Sequence, residues 1–193
     1  FIGMAVSAFE GSMFAFVFDW TPALDSDLVP PPHGVIFALF MMSCMCGASA
    51  STLLASRTRP TTRLVFAFVA SFVSFVIAAV AVRLGPESHL KLSLLAFMVF
   101  EFCVGVYFPS IGVLKSDAVP EHVRGTMYNI YRVPLNAIVV ALLLGDLSMA
   151  IGFVLNAVLM LVALWSIIAV NRVVIPALPL TPLPKHRPQE TCD

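Results

Sequence analysis

Charge is what this sequence has least of. Asp, Glu, Lys and Arg make up 11% of the 193 residues, against about a quarter in a water-soluble domain, which needs them to cover its surface. With 60% hydrophobic residues and 16 Phe, the chain cannot build a polar shell, so the lipid bilayer must be its outer solvent. The formal net charge is zero, 11 basic against 11 acidic side chains, which excludes the basic face that nucleic acid requires. Cysteine is scarce: Cys44, Cys46, Cys103 and Cys192 make neither a secreted disulfide framework nor a zinc spacing. The four His (His33, His89, His122 and His186) fall in expected loops or the tail, so no metal site is expected among the apolar stretches and no cofactor is implied. No basic segment precedes the apolar run at Phe1, so no signal peptide is visible. The hydrophobic start reads as the interior of a longer protein.

What the sequence does have is long apolar stretches. Crossing ~30 Å of hydrocarbon takes about 20 mostly apolar residues, and six such stretches run at 1–23, 34–55, 64–83, 91–115, 125–144 and 149–171. Barrel strands would be about half as long and would alternate in polarity, so the expected fold is an all-α polytopic membrane protein of six transmembrane helices. Breakers separate the spans: Thr21-Pro22, Pro30-Pro31-Pro32, Arg59-Pro60, Gly85-Pro86, Val119-Pro120 and Gly145-Asp146. From Pro176 to Asp193 the chain turns Pro-rich and polar and reads as a disordered tail.

Basic residues set the orientation. Arg57, Arg59 and Arg63 fall in one expected loop, Lys115 and Arg124 in another, and Arg172, Lys185 and Arg187 follow the last span; the opposite side has Arg83 and Lys91. Eight against two places these loops and both ends of the segment in the cytosol.

Three ionisable side chains stand at depth. Glu10 lies ~14 Å into the first span, Glu101 about 15 Å beyond Lys91, and Arg132 ~10 Å past Gly125, at 1.5 Å per residue. A guanidinium near the bilayer centre costs at least ~2.5 kcal/mol, so it is normally kept for a partner, a water-filled cavity or an anionic ligand. At 100° per residue, Gly125, Asn129, Arg132 and Asn136 share a ~60° wedge. The fifth span therefore presents one polar face, on which Asn129 and Asn136 flank the guanidinium. Snorkelling to headgroups would not need those amides; a structural pair with Glu10 or Glu101 is the other reading. Glu10 and Glu101 must each be paired or protonated in such surroundings, which suits either ion pairing or proton coupling. The run Met41-Met42-Ser43-Cys44-Met45-Cys46 suggests soft-metal ligation, but Cys44 and Cys46 point some 200° apart on a helix and the run reads as packing.

The element Pro120-Glu121-His122-Val123-Arg124-Gly125, before the fifth span, resembles a recurrent cytosolic signature of the major facilitator superfamily. Ser51-Thr52-Leu53-Leu54-Ala55-Ser56-Arg57-Thr58-Arg59 sits where those transporters carry a second motif, without its Gly and Asp. Phe9-Glu10-Gly11-Ser12-Met13-Phe14-Ala15-Phe16-Val17-Phe18-Asp19-Trp20-Thr21-Pro22 is similar to helix seven of the molybdate-anion transporter family within it. Glu101-Phe102-Cys103-Val104-Gly105-Val106-Tyr107-Phe108-Pro109-Ser110 is similar to helix ten, and Arg132-Val133-Pro134-Leu135 to helix eleven.

The resemblance implies a multi-pass protein of the cell membrane. It implies that residues 1–175 are one half of a major facilitator fold, helices seven to twelve, lacking an N-terminal six-helix half. It also implies a molybdate-like oxyanion as substrate, moved by alternating access. Arg132 would then donate to the anion, helped by Asn129, Asn136 and the Tyr107 hydroxyl, with Glu10 and Glu101 in ion-pair or proton-coupling roles. The alternative is a facilitator-like protein that no longer transports and serves as a scaffold or sensor. An enzyme is not expected: the spans offer no paired nucleophile and base.

Overall fold

In a computed structural model that describes residues 1–25, 31–84, 86–145 and 148–173, the chain forms six long helices. They are α1 (Ile2–Leu24), α2 (His33–Leu54), α3 (Pro60–Ala81), α4 (Pro86–Ala118), α5 (Arg124–Leu144) and α6 (Met149–Val173), with a 3-10 turn at Glu121–Val123 ahead of α5. No strand occurs among the described residues, and the all-α expectation holds. Pro30, Gly85, Asp27 and Asp146 lie outside the described residues, as does the tail from Pro176 with its Lys185, His186, Arg187 and Cys192.

Five helices, α1 to α4 and α6, are long and apolar enough to cross a membrane. α5 has 21 residues, a reach of about 31 Å at 1.5 Å per residue. Three boundaries differ from the sequence reading by three residues or more. α3 starts at Pro60 rather than 64, because Pro is already set for the first helical position and Arg59 takes the extended cap conformation. α4 starts at Pro86 rather than 91, again with Pro at the start of the helix. α4 continues to Ala118 rather than 115: nothing before Pro120 breaks it. His33 and His89 also prove to lie on helices, α2 and α4.

The principal contacts all run between the first three helices and the last three. α1 packs on α4, α5 and α6; α4 packs on α2 and α3; α3 packs on α6. Exchanging α1–α3 with α4–α6 in order maps this pattern onto itself, since α1 on α5 becomes α4 on α2 and α1 on α6 becomes α4 on α3. Directions obey the same exchange. α1 runs parallel to α5, with Gly3 against Tyr131 and Gly11 against Ile138. α4 runs parallel to α2, with Ser43 bonded to Met98 and Ser51 to Ser110. An odd number of helices per triplet starts the second triplet at the opposite end, so these are two inverted repeats.

Lipid tails are as apolar as Leu, so packing rather than the hydrophobic effect holds such helices together. The centre is aromatic. Phe16 of α1 meets Phe97 and Phe100 of α4 at 5.1 and 4.9 Å between centroids, and Phe9 stacks on Tyr107 at 4.1 Å. α2 and α4 approach until backbones touch: a Cβ on Gly47 would collide with the Phe102 carbonyl oxygen, and one on Gly105 with that of Cys44. α2 and α5, the middle helices of the triplets, pack on one side and leave most of their circumference exposed.

Candidate functional site

α5 touches the bundle through Tyr131, Leu135 and Ile138, which face α1. The wedge carrying Asn129, Arg132 and Asn136 is turned away from that contact, and all three side chains are exposed. Among the described residues no carboxylate pairs with Arg132. The structural ion pair expected as an alternative is not formed there. Pro134, inside α5, removes the donor that would reach the Ile130 carbonyl, and that oxygen must find another partner.

Glu10 has a different cation. Its Oε1 accepts a hydrogen bond from the Tyr107 hydroxyl at 2.9 Å and lies 3.5 Å from Lys115 Nζ. The Lys115 ammonium sits 5.2 Å from the centroid of the Tyr128 ring, a cation–π contact. Tyr128 is one helical turn before Arg132, so their side chains are neighbours on α5. The structure therefore joins α1, α4 and α5 around a carboxylate, an ammonium and two phenols, with the Arg132 face beside them. Tyr107 is fully buried; its hydroxyl, expected to donate to a substrate, donates to Glu10.

Glu101 stands apart. It lies six residues before Tyr107, roughly 9 Å along α4, near Cys44 of α2. It is 7% exposed, and no hydrogen bond or ion pair engages it among the described residues. On a helical wheel Glu101 and Lys115 are only ~40° apart, so α4 presents both along one line, about four turns from each other.

The sequence reading missed Lys115 as a site residue and placed it in a loop, because charge was taken to mark the end of the span. The signal was present in the absence of Gly or Pro between Lys115 and Pro120, which lets the helix run on past the lysine. Arg63 was misplaced for the same reason. It lies on α3, 7% exposed, and its Nη1 donates to the Ser51 carbonyl at 2.7 Å and to Ser51 Oγ at 3.1 Å. The Ser51 and Ser110 hydroxyls are 3.1 Å apart. A cation at the last turn of α2 satisfies carbonyls that the helix leaves unpaired and opposes its dipole. Arg63 thus fastens α2, α3 and α4.

Comparison with known proteins gives the chain its relatives. A family profile described as sugar transporters with twelve transmembrane segments matches residues 1–106. The molybdate-anion transporter of Xenopus tropicalis is 32% identical over 177 residues, 87% of this chain and 38% of that protein. The molybdate-anion transporter of Danio rerio is 33% identical over 138 residues, 70% of this chain and 28% of that protein. That of Xenopus laevis is 32% identical over 87% of this chain and 39% of its own length. The chain thus spans less than two fifths of the length of these relatives. No solved structure matches it significantly. Six long helices in two inverted triplets and these similarities have one consequence: the chain belongs to the major facilitator superfamily, in its molybdate-anion transporter family.

Proposed function

We propose that this chain is the C-terminal half, helices seven to twelve, of a twelve-helix secondary transporter that carries a molybdate-like oxyanion by alternating access. In this reading residues 1–175 are the six-helix half-domain and residues 176–193 a cytosolic tail. The protein lies in the cell membrane with both ends of the segment in the cytosol; the basic residues at the Arg57–Arg59 end favour that orientation. An N-terminal six-helix half covers the exposed sides of α2 and α5 and encloses a central cavity with them.

The observation that carries the reading is Arg132, an exposed guanidinium on a membrane helix with no carboxylate on it among the described residues. Against lipid that charge is costly; against a water-filled cavity it is an anion ligand. A guanidinium offers five donors in a planar fork that fits two oxygens of a tetrahedral anion at once. Asn129 and Asn136 add neutral donors one turn to either side. Tyr107 acts through Glu10, and Glu10 and Glu101 are the carboxyl groups for ion pairing or proton coupling. A sugar, the class named by the family profile, is neutral and would give Arg132 nothing to neutralise.

The test is uptake of molybdate into proteoliposomes by the full-length protein. Arg132→Ala and Arg132→Lys each lower uptake at least about tenfold at equal protein level, since Lys lacks the fork. Normal uptake by both variants removes Arg132 from the substrate site. Saturable sugar uptake without oxyanion flux would replace the substrate class.

A further inference from the structure

The geometry points to Lys115 as a second cationic ligand for the oxyanion, held between turnovers by Glu10 as a built-in stand-in anion. The inference rests on the oxyanion reading above and adds a residue and an exchange to it.

Lys115 leaves α4 in its last turn, where a lysine is free to extend along its four-carbon stem to water. It does the opposite. Nζ folds back to Glu10, 105 residues away in sequence, and its side chain keeps only 16% of its surface exposed. An ammonium has three donors. Among the described residues Lys115 uses one, on Glu10 Oε1, and that contact is 3.5 Å long. The pair is thus loose, with two donors unspent beside a π face that stabilises the charge wherever it moves on that side.

Glu10 is prepared to lose its cation. The Tyr107 hydroxyl, 2.9 Å away, keeps donating when Lys115 swings off, and with Glu10 21% exposed, water can reach the carboxylate. Tyr107 cannot follow, because its ring is fully buried and stacked on Phe9. One partner of Glu10 is fixed and the other is movable.

Charge arithmetic then links the exchange to the ligand. The charged group against Glu10 is Lys115 of α4 and the phenol against it is Tyr107 of α4; Tyr128 of α5 lies against Lys115, and Arg132 follows one turn further along α5. α6 meets α1 on another side, with Asn156 accepting from Ser12. Two cations and one carboxylate sum to +1, which falls short of a dianion. Without the Glu10 charge the sum is +2, which leaves both cations to the anion. Glu10→Gln imitates that state, since the amide oxygen still accepts from Tyr107.

The experiment measures molybdate KM for the full-length protein in proteoliposomes, with equal reconstituted amounts of wild type, Lys115→Ala, Lys115→Arg, Glu10→Gln and the Glu10→Gln/Lys115→Ala double variant. Lys115→Ala raises KM about tenfold, a loss of about 1.4 kcal/mol, and Lys115→Arg restores most of it. Glu10→Gln lowers KM at least about threefold, and this gain disappears in the double variant, the non-additivity expected of groups that act on each other. A purely structural pair would move both single variants the same way, through folded amount and maximal rate, with KM unchanged; that result overturns the proposal, as does a Glu10→Gln gain that survives Lys115→Ala. Absence of saturable molybdate uptake by the wild type sinks the transport reading itself, and the exchange with it.

Discussion

Gly105→Ala tests the packing that holds α4, and with it Tyr107, Glu101 and Lys115, in place. A Cβ at Gly105 would collide with the Cys44 carbonyl oxygen and stand 2.8 Å from both the Ala48 nitrogen and the Cys44 carbonyl carbon. All three are backbone atoms, so no side chain can turn aside. Ordinary contact begins near 3.4 Å; the two helices must part by about 0.6 Å at Ala48 and by more at Cys44. A gap of ~0.5–1 Å forfeits a quarter to a half of each dispersion contact along the seam. It also stretches the Ser43–Met98 and Ser51–Ser110 hydrogen bonds, now 2.7 and 3.1 Å. Overpacking of this kind costs about 3 kcal/mol at the upper end of its usual range. Ala favours the helix over Gly by about 0.5–1 kcal/mol, so the net loss is about 2 kcal/mol, or roughly 4–8 °C in melting temperature for a chain of this size. Gly112 of the same helix is the control: nothing lies within 4 Å of a Cβ there, and Gly112→Ala stabilises by the propensity difference alone. Melting of the two variants in detergent, followed by fluorescence-detected size exclusion, reads both signs. A Gly105→Ala protein melting within about 1 °C of wild type, or a Gly112→Ala protein destabilised as much, refutes the reasoning.

Two further variants separate site from scaffold. Tyr107→Phe keeps the ring on Phe9 but deletes a hydrogen bond to a charged acceptor, worth about 1.5–3 kcal/mol. With Glu10 partly open to water the lower figure applies, and melting falls by a few degrees in the same detergent assay; an unchanged melt would mean that the hydroxyl does not hold Glu10. Arg63→Met leaves the Ser51 carbonyl and the Ser51–Ser110 pair without their donor, at a cost of about 2 kcal/mol. Because Arg63 touches none of the Glu10 cluster, molybdate KM of the folded fraction stays at the wild-type value, and a shifted KM would tie Arg63 to the site.

The helices were legible because length and polarity are local properties. A run of some 20 apolar residues with 11% charge overall admits one solvent and one secondary structure. The polar face of α5 was legible for the same reason, since 100° per residue fixes which side chains are neighbours on one helix. Boundaries were read less well at Arg63 and Lys115. A charged residue looks like the edge of a span, yet both lie on helices and turn inward, one to helix-end carbonyls and the other to a carboxylate.

What the sequence alone determined is a membrane-embedded bundle of six helices with a guanidinium flanked by amides on one of them. Which cation meets Glu10 is a matter of tertiary structure. Depth in the sequence pointed to Arg132 alone, and no periodicity relates residue 10 to Arg132 or to Lys115. α1, α4 and α5 converge because the first helix of each triplet packs against the other triplet, and Phe9 stacking on Tyr107 sets the height at which they meet. That packing puts Lys115 on Glu10 and leaves Arg132 open, a choice made by distances between helices that no single helix encodes.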